Sequence, residues 1–220
     1  VAPPATGPEP SLAEVLGGRS GAVDATLPVV AFAVAWLVAG ALGVGAPVAW
    51  GSGAALLTAA GLAALRLRSG RPPRAVVFGL LGVALAATIA LVTGNAADFF
   101  LVRIVSNALS ALAWAVSIVV RWPLLGVIVG TLLGQRTRWR RDPDLLRGYQ
   151  RASWVWAAQY VVRLAVFLPL YSAGAVVALA TAQVVLTWPL VALCVLTSWP
   201  LVRSALPAGH GGIRHPAQPA

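Results

Sequence analysis

The sequence predicts an all-α protein, a polytopic transmembrane helical bundle. Three observations carry that expectation. Of 220 residues, 59% are hydrophobic and only 10% charged, whereas soluble domains carry about 25% charge. The apolar residues gather into runs of roughly twenty, the length a helix needs to cross about 30 Å of hydrocarbon. The strict alternation of a transmembrane β-barrel is absent.

Along the chain, "VAPPATGPEP" is Pro-rich and is expected to lack structure. "SLAEVLGG" follows, with Ser11 and Glu14 spaced as a capping box for a short surface helix. Residues 1–24 thus read as a tail plus that helix, 25–203 as one transmembrane bundle, and 204–220 as a second unstructured tail. About six spans fit the bundle, at 25–43, 48–66, 75–93, 99–121, 153–171 and 175–199. "PLLGVIVGTLLG" (123–134) is apolar but too short to cross. It reads as a re-entrant or interfacial helix started by Pro123.

All sixteen basic residues are arginine, against six acids, for a net charge of +10. Nucleic acid is not the expected partner, because the arginines lie beside the spans. Four (Arg66, Arg68, Arg71, Arg74) follow the second span, and six (Arg136, Arg138, Arg140, Arg141, Arg147, Arg151) follow the fourth. The connections "GVGAP", "GNAAD" and "SAGA" hold none. This alternation places both termini in the cytoplasm of a bacterial plasma membrane, with anionic lipid beside the arginines. Membrane proteins or a second copy of the chain are the macromolecular partners open to it.

The fourth span raises a separate question, because it carries Asp98, Arg103, Asn107 and Arg121 in an apolar run. Arg103 and Arg121 are roughly 27 Å apart on a helix, so each can snorkel to its own interface. Yet Arg103, Asn107, Ser110, Trp114, Ser117 and Arg121 advance by four, three, four, three and four. That places them on one helical face, expected to point at other helices or a hydrated crevice. In the fifth span Arg163 lies too deep to snorkel easily, with Gln159 one turn before it. Asn107, Arg163 and Gln183 of the sixth span all come about 12 Å below the outer surface. Asp98, at the outer mouth, is the obvious counter-ion. Such a cluster either ties helices together or forms a site for an ion, headgroup or solute. Asp24, just before Leu27-Pro28, is expected near the cytoplasmic level of Arg121, where an ion pair would be structural.

Catalytic and cofactor signatures are not found. No phosphate-binding glycine loop, HExxH pair or nucleophile elbow occurs. His210 and His215 stand in the tail without further ligands, so neither metal nor cofactor is expected. So few acids argue against paired-carboxylate catalysis, and the chain reads as a non-enzyme.

Leu27-Pro28 opening the first span, Arg66-Leu67-Arg68 closing the second, "NAADFF" opening the fourth, and Pro123-Leu124 with its basic cluster give a layout that resembles the intracellular septation protein A family. With Leu16 to Pro28 as an "LGG-R-x-G-x-x-D-x-x-x-P" opening, the chain is similar to an uncharacterised actinobacterial integral-membrane family. The resemblance covers about residues 16 to 203. It implies support of cell-envelope synthesis or division through lateral contacts, and supplies no counterpart for Arg163. The alternative is a small transporter or channel-like protein for an anionic solute or lipid headgroup.

Overall fold

The structure is a computed structural model that describes residues 18–70, 73–214 and 216–217. The described residues are all helix, turn and loop. Six helices are long and apolar enough to cross a membrane, and a seventh is short. The expected capping-box helix at Ser11–Glu14 lies outside the described residues. The chain divides into two compact units, Val1–Phe99 and Phe100–Ala220.

The first unit holds α1 (Gly18–Ala41), α2 (Pro47–Arg68), α3 (Pro73–Thr93) and most of a 3-10 turn at Ala96–Phe100. Helix α2 packs on both α1 and α3. Its buried residues Gly51, Ser52, Ala55, Ala59 and Ala63 recur every three to four positions. Such a small-residue seam lets helix backbones approach closely without water to drive them together. Gly51 is needed there, since a Cβ would sit 3.0 Å from the Phe32 carbonyl oxygen. Phe32 in turn stacks on Phe99 with ring centroids 4.0 Å apart. Asp24 pairs with Arg66 of α2, whose Nη2 donates at 2.9 Å and Nε at 3.0 Å. Asp24 therefore has a partner within its own unit, one helix away.

The second unit holds α4 (Leu101–Val119), α5 (Leu124–Leu132), a 3-10 turn (Arg138–Arg141), α6 (Pro143–Ser172) and α7 (Val176–Arg203). Helix α6 is its centre and packs on α4, α5 and α7. It begins ten residues before the expected fifth span, inside the arginine-rich segment. Asp142 explains the early start: its carboxylate caps the helix by accepting from the N–H groups of Asp144 and Leu145, and Pro143 occupies the first turn. Leu145, Gly148, Tyr149 and Ala152 form the buried stripe, while Arg147 and Arg151 are exposed.

Helix α5, nine residues long, folds back as a short element. Gly126 and Gly130, one turn apart, make a notch that seats the fully buried Trp139 ring; a Cβ at either would come within 2.7 or 2.5 Å of it. Trp139 meets Tyr149 edge to face at 5.6 Å. The C-terminal segment, read from its composition as unstructured, is held against this module. Gln135 Nε2 donates to the carbonyls of Ile213 (2.7 Å) and Arg214 (3.1 Å). His210 Nε2 lies 2.8 Å from Asp142 Oδ2, and the Ala217 N–H donates to the same oxygen at 2.7 Å. Leu206 and Ile213 pack on the Trp139, Leu145 and Tyr149 core.

Candidate functional site

Helix α4 presents two chemically different sides. Ile104, Asn107, Trp114, Ser117 and Ile118 are buried, whereas Val105, Leu109, Leu112, Val116 and Val119 are exposed. The buried side carries the polar stripe of the sequence. Ser117 Oγ donates to the Trp114 carbonyl and accepts from the Leu124 N–H, joining α4 to α5. Ser110 is half-buried, and Arg121 is exposed in a turn with φ of 56°. The stripe therefore divides by function: its lower part builds the α4–α5 turn, and its upper part meets α6 and α7.

At the upper part, Thr187 of α7 gathers the cations. Arg103 Nη2 donates to the Thr187 hydroxyl at 3.2 Å, and Arg163 Nη2 donates to the Thr187 carbonyl at 3.0 Å. The Thr187 hydroxyl donates back to the Gln183 carbonyl, one turn earlier on α7. Gln159 Oε1 accepts from Arg163 Nη2 at 3.2 Å, and the Tyr160 ring lies 5.4 Å from the guanidinium carbon. Two guanidinium groups thus share one residue as acceptor. Gln183 joins through its backbone carbonyl, and its side chain is half-buried.

The unmet hydrogen-bonding capacity here is one-sided. Asn107 is 2% exposed, Gln159 3% and Arg163 5%. Asn107 Nδ2, Gln159 Nε2, Arg163 Nε and Trp188 Nε1 are buried without a partner. All four are N–H donors. An unpaired buried donor costs about 1–3 kcal/mol, so four together are a large expense for glue alone. The described carboxylates of this unit, Asp142 and Asp144, stand at the start of α6. Arg163 follows Asp142 by 21 positions, roughly 31 Å along the helix. Asp98 belongs to the first unit, where the Asn95 amide donates to it at 3.2 Å. Arg163 is held by Gln159 and Thr187. Chemically, donor-rich surroundings with two cations suit a group that only accepts hydrogen bonds and carries negative charge.

The sequence does not single out Thr187, because a threonine in an apolar helix is unremarkable by composition. The available signal was spacing: Thr187 stands one turn after Gln183. No group of three His, Cys, Asp or Glu side chains converges among the described residues.

Residues 16–209 match the model of a family described as a protein of unknown function, DUF3159. The chain belongs to that family. No curated protein and no solved structure matches it. The arginine cluster at Thr187 and the Asp142 cap fall within the matched residues, whereas His210 and Ala217 of the tail lie beyond them.

Proposed function

We propose that this DUF3159 protein is a non-enzymatic, multi-pass protein of the bacterial plasma membrane that recognises an anionic group inside its second helical unit. The observation that carries the reading is the set of four buried, unpartnered N–H donors on α4, α6 and α7, the helices that bring Arg103 and Arg163 together at Thr187. A single charged side chain at membrane depth costs about 2.5–3.5 kcal/mol on insertion scales. Two cations meeting at one threonine repel each other besides, and a bound anion would offset both terms. The same chemistry fits a lipid headgroup or a small solute such as phosphate or a carboxylate. The resemblance to septation proteins supports a cell-envelope setting, with lateral contacts to membrane proteins or to another copy. The arginine pattern of the connections supports termini in the cytoplasm.

The test uses the full chain in neutral detergent. Inorganic phosphate or a carboxylate should raise the thermal midpoint relative to chloride at equal ionic strength, because a ligand that binds only the folded state stabilises it. Native mass spectrometry reports any retained anionic lipid. Arg163→Gln should abolish the solute response or release the lipid, and which of the two occurs names the source. If no anion moves the midpoint, no lipid is retained and Arg163→Gln is as stable as the parent, the cluster is interhelical glue and the reading fails.

A further inference from the structure

The arginine-rich segment after α4 has more structure than an orientation signal requires. Positive charges set topology during insertion and need no tertiary fold to do so. Here Trp139 is seated in the Gly126–Gly130 notch, Gln135 ties the segment to the C-terminal tail, and Asp142 is fully buried. Arginines on such a scaffold keep fixed positions relative to one another.

Their charge is also uncompensated locally. Arg121, Arg136, Arg138, Arg140, Arg141 and Arg151 are exposed. The two acids of the segment are occupied elsewhere. Asp144 pairs with Arg147, and Asp142 accepts from two helix N–H groups, the Ala217 N–H and His210. Apolar side chains are exposed on the same segment. On α5, Ile128 is 47% and Leu132 54% exposed. Trp122 is exposed as well, with the Arg140 guanidinium carbon 4.1 Å from its ring centroid. A polyanion in water, such as RNA, gives no reason for exposed Ile and Leu beside the arginines. The boundary between headgroups and acyl chains accounts for both.

We infer that residues 121–151 form a folded platform that docks on anionic phospholipid headgroups of the adjoining leaflet, with Ile128, Leu132 and Trp122 entering the acyl boundary. This surface is independent of the Thr187 cluster.

Hydrogen–deuterium exchange of the full chain in nanodiscs tests it. Exchange over residues 124–141 should slow when phosphatidylcholine is replaced in part by phosphatidylglycerol, and the slowing should fade at high salt. Joint replacement of Arg138, Arg140 and Arg141 by glutamine should remove the difference between the two lipids. Joint replacement by lysine, which keeps the charge and the fold, should retain most of it. Arg163→Gln should leave the difference intact, so failure of the intramembrane site and failure of the platform are read separately. Equal exchange in both lipids overturns the inference. So does equal protection by an RNA oligonucleotide in pure phosphatidylcholine, which would make the surface a polyanion site.

Discussion

Asp142 shows how much a single side chain can be asked to do. One oxygen caps α6; the other receives the tail through His210 and Ala217. The Gly212 N–H donates to His210 Nδ1 at 2.9 Å, which leaves Nε2 to donate its hydrogen to the carboxylate. Burial pushes the Asp142 carboxyl up, but the Leu145 and Ala217 N–H groups and His210 outweigh it and hold it below the usual carboxylate range. A depressed folded value means stabilisation that is present above the ordinary carboxylate pKa and lost as pH falls through the folded one. The tail should therefore stay docked at neutral pH and be released only in strong acid. Asp142→Asn separates the two roles, because asparagine caps helices as well as aspartate does but turns an amide N–H toward two donors. Its tail amides should exchange faster at neutral pH by at least tenfold while α6 keeps its protection. Unchanged tail exchange would show that the carboxylate is not the latch. At this scale sequence reasoning saw the charges but not their partners. Arg163 and Gln159 were legible as one face of a helix, whereas Thr187 as the acceptor shared by two arginines depends on how α7 is rotated against α4 and α6.

Among the elements, α5 depends most closely on glycine. Its notch fits Trp139 because positions 126 and 130 have no Cβ, and Gly130 is the tighter of the two. Gly130→Ala should force Trp139 out or shift the helix, at about 1–3 kcal/mol for overpacking a filled interior. Faster exchange across 124–150, with α1–α3 unaffected, is the expected signature; an unchanged midpoint would mean that the notch relaxes freely. Helix existence was legible throughout, because apolar runs of twenty residues leave few alternatives to a membrane helix. Helix ends were less so. Hydropathy starts the fifth span at residue 153 because it stops at arginines, yet Asp142-Pro143 is a capping signature and 145, 148, 149 and 152 keep helical spacing through the charges. The docking of the tail is hidden from composition for a related reason. Composition reports that Pro and Gly cannot continue a helix, and says nothing of carbonyls and a histidine that a neighbouring module can bind.

For the whole molecule the open question is which side each connection faces, and α5 decides it. Counted as a span, α5 would move the six-arginine segment to the side of the arginine-free connections and invert α6 and α7. Nine residues rise only about 13.5 Å, less than half the hydrocarbon thickness. Two of its faces are moreover committed, one to Trp139 and one to Leu145 and Tyr149 of its own module. The expected arrangement thus puts Ser69 and Thr137 on the cytoplasmic side, and Thr93 and Ala173 on the other. All four are exposed and lie at helix ends or in connections. Single cysteines at these positions, with the buried Cys194 replaced by alanine, can be labelled in intact cells by a membrane-impermeant maleimide. Positions 93 and 173 should react, and 69 and 137 only after the membrane is opened. Reaction at 137 together with 93 would make α5 a crossing element and move the arginine platform to the opposite leaflet. Reaction at 69 alone from outside would invert the first unit and break the charge rule on which the orientation rests.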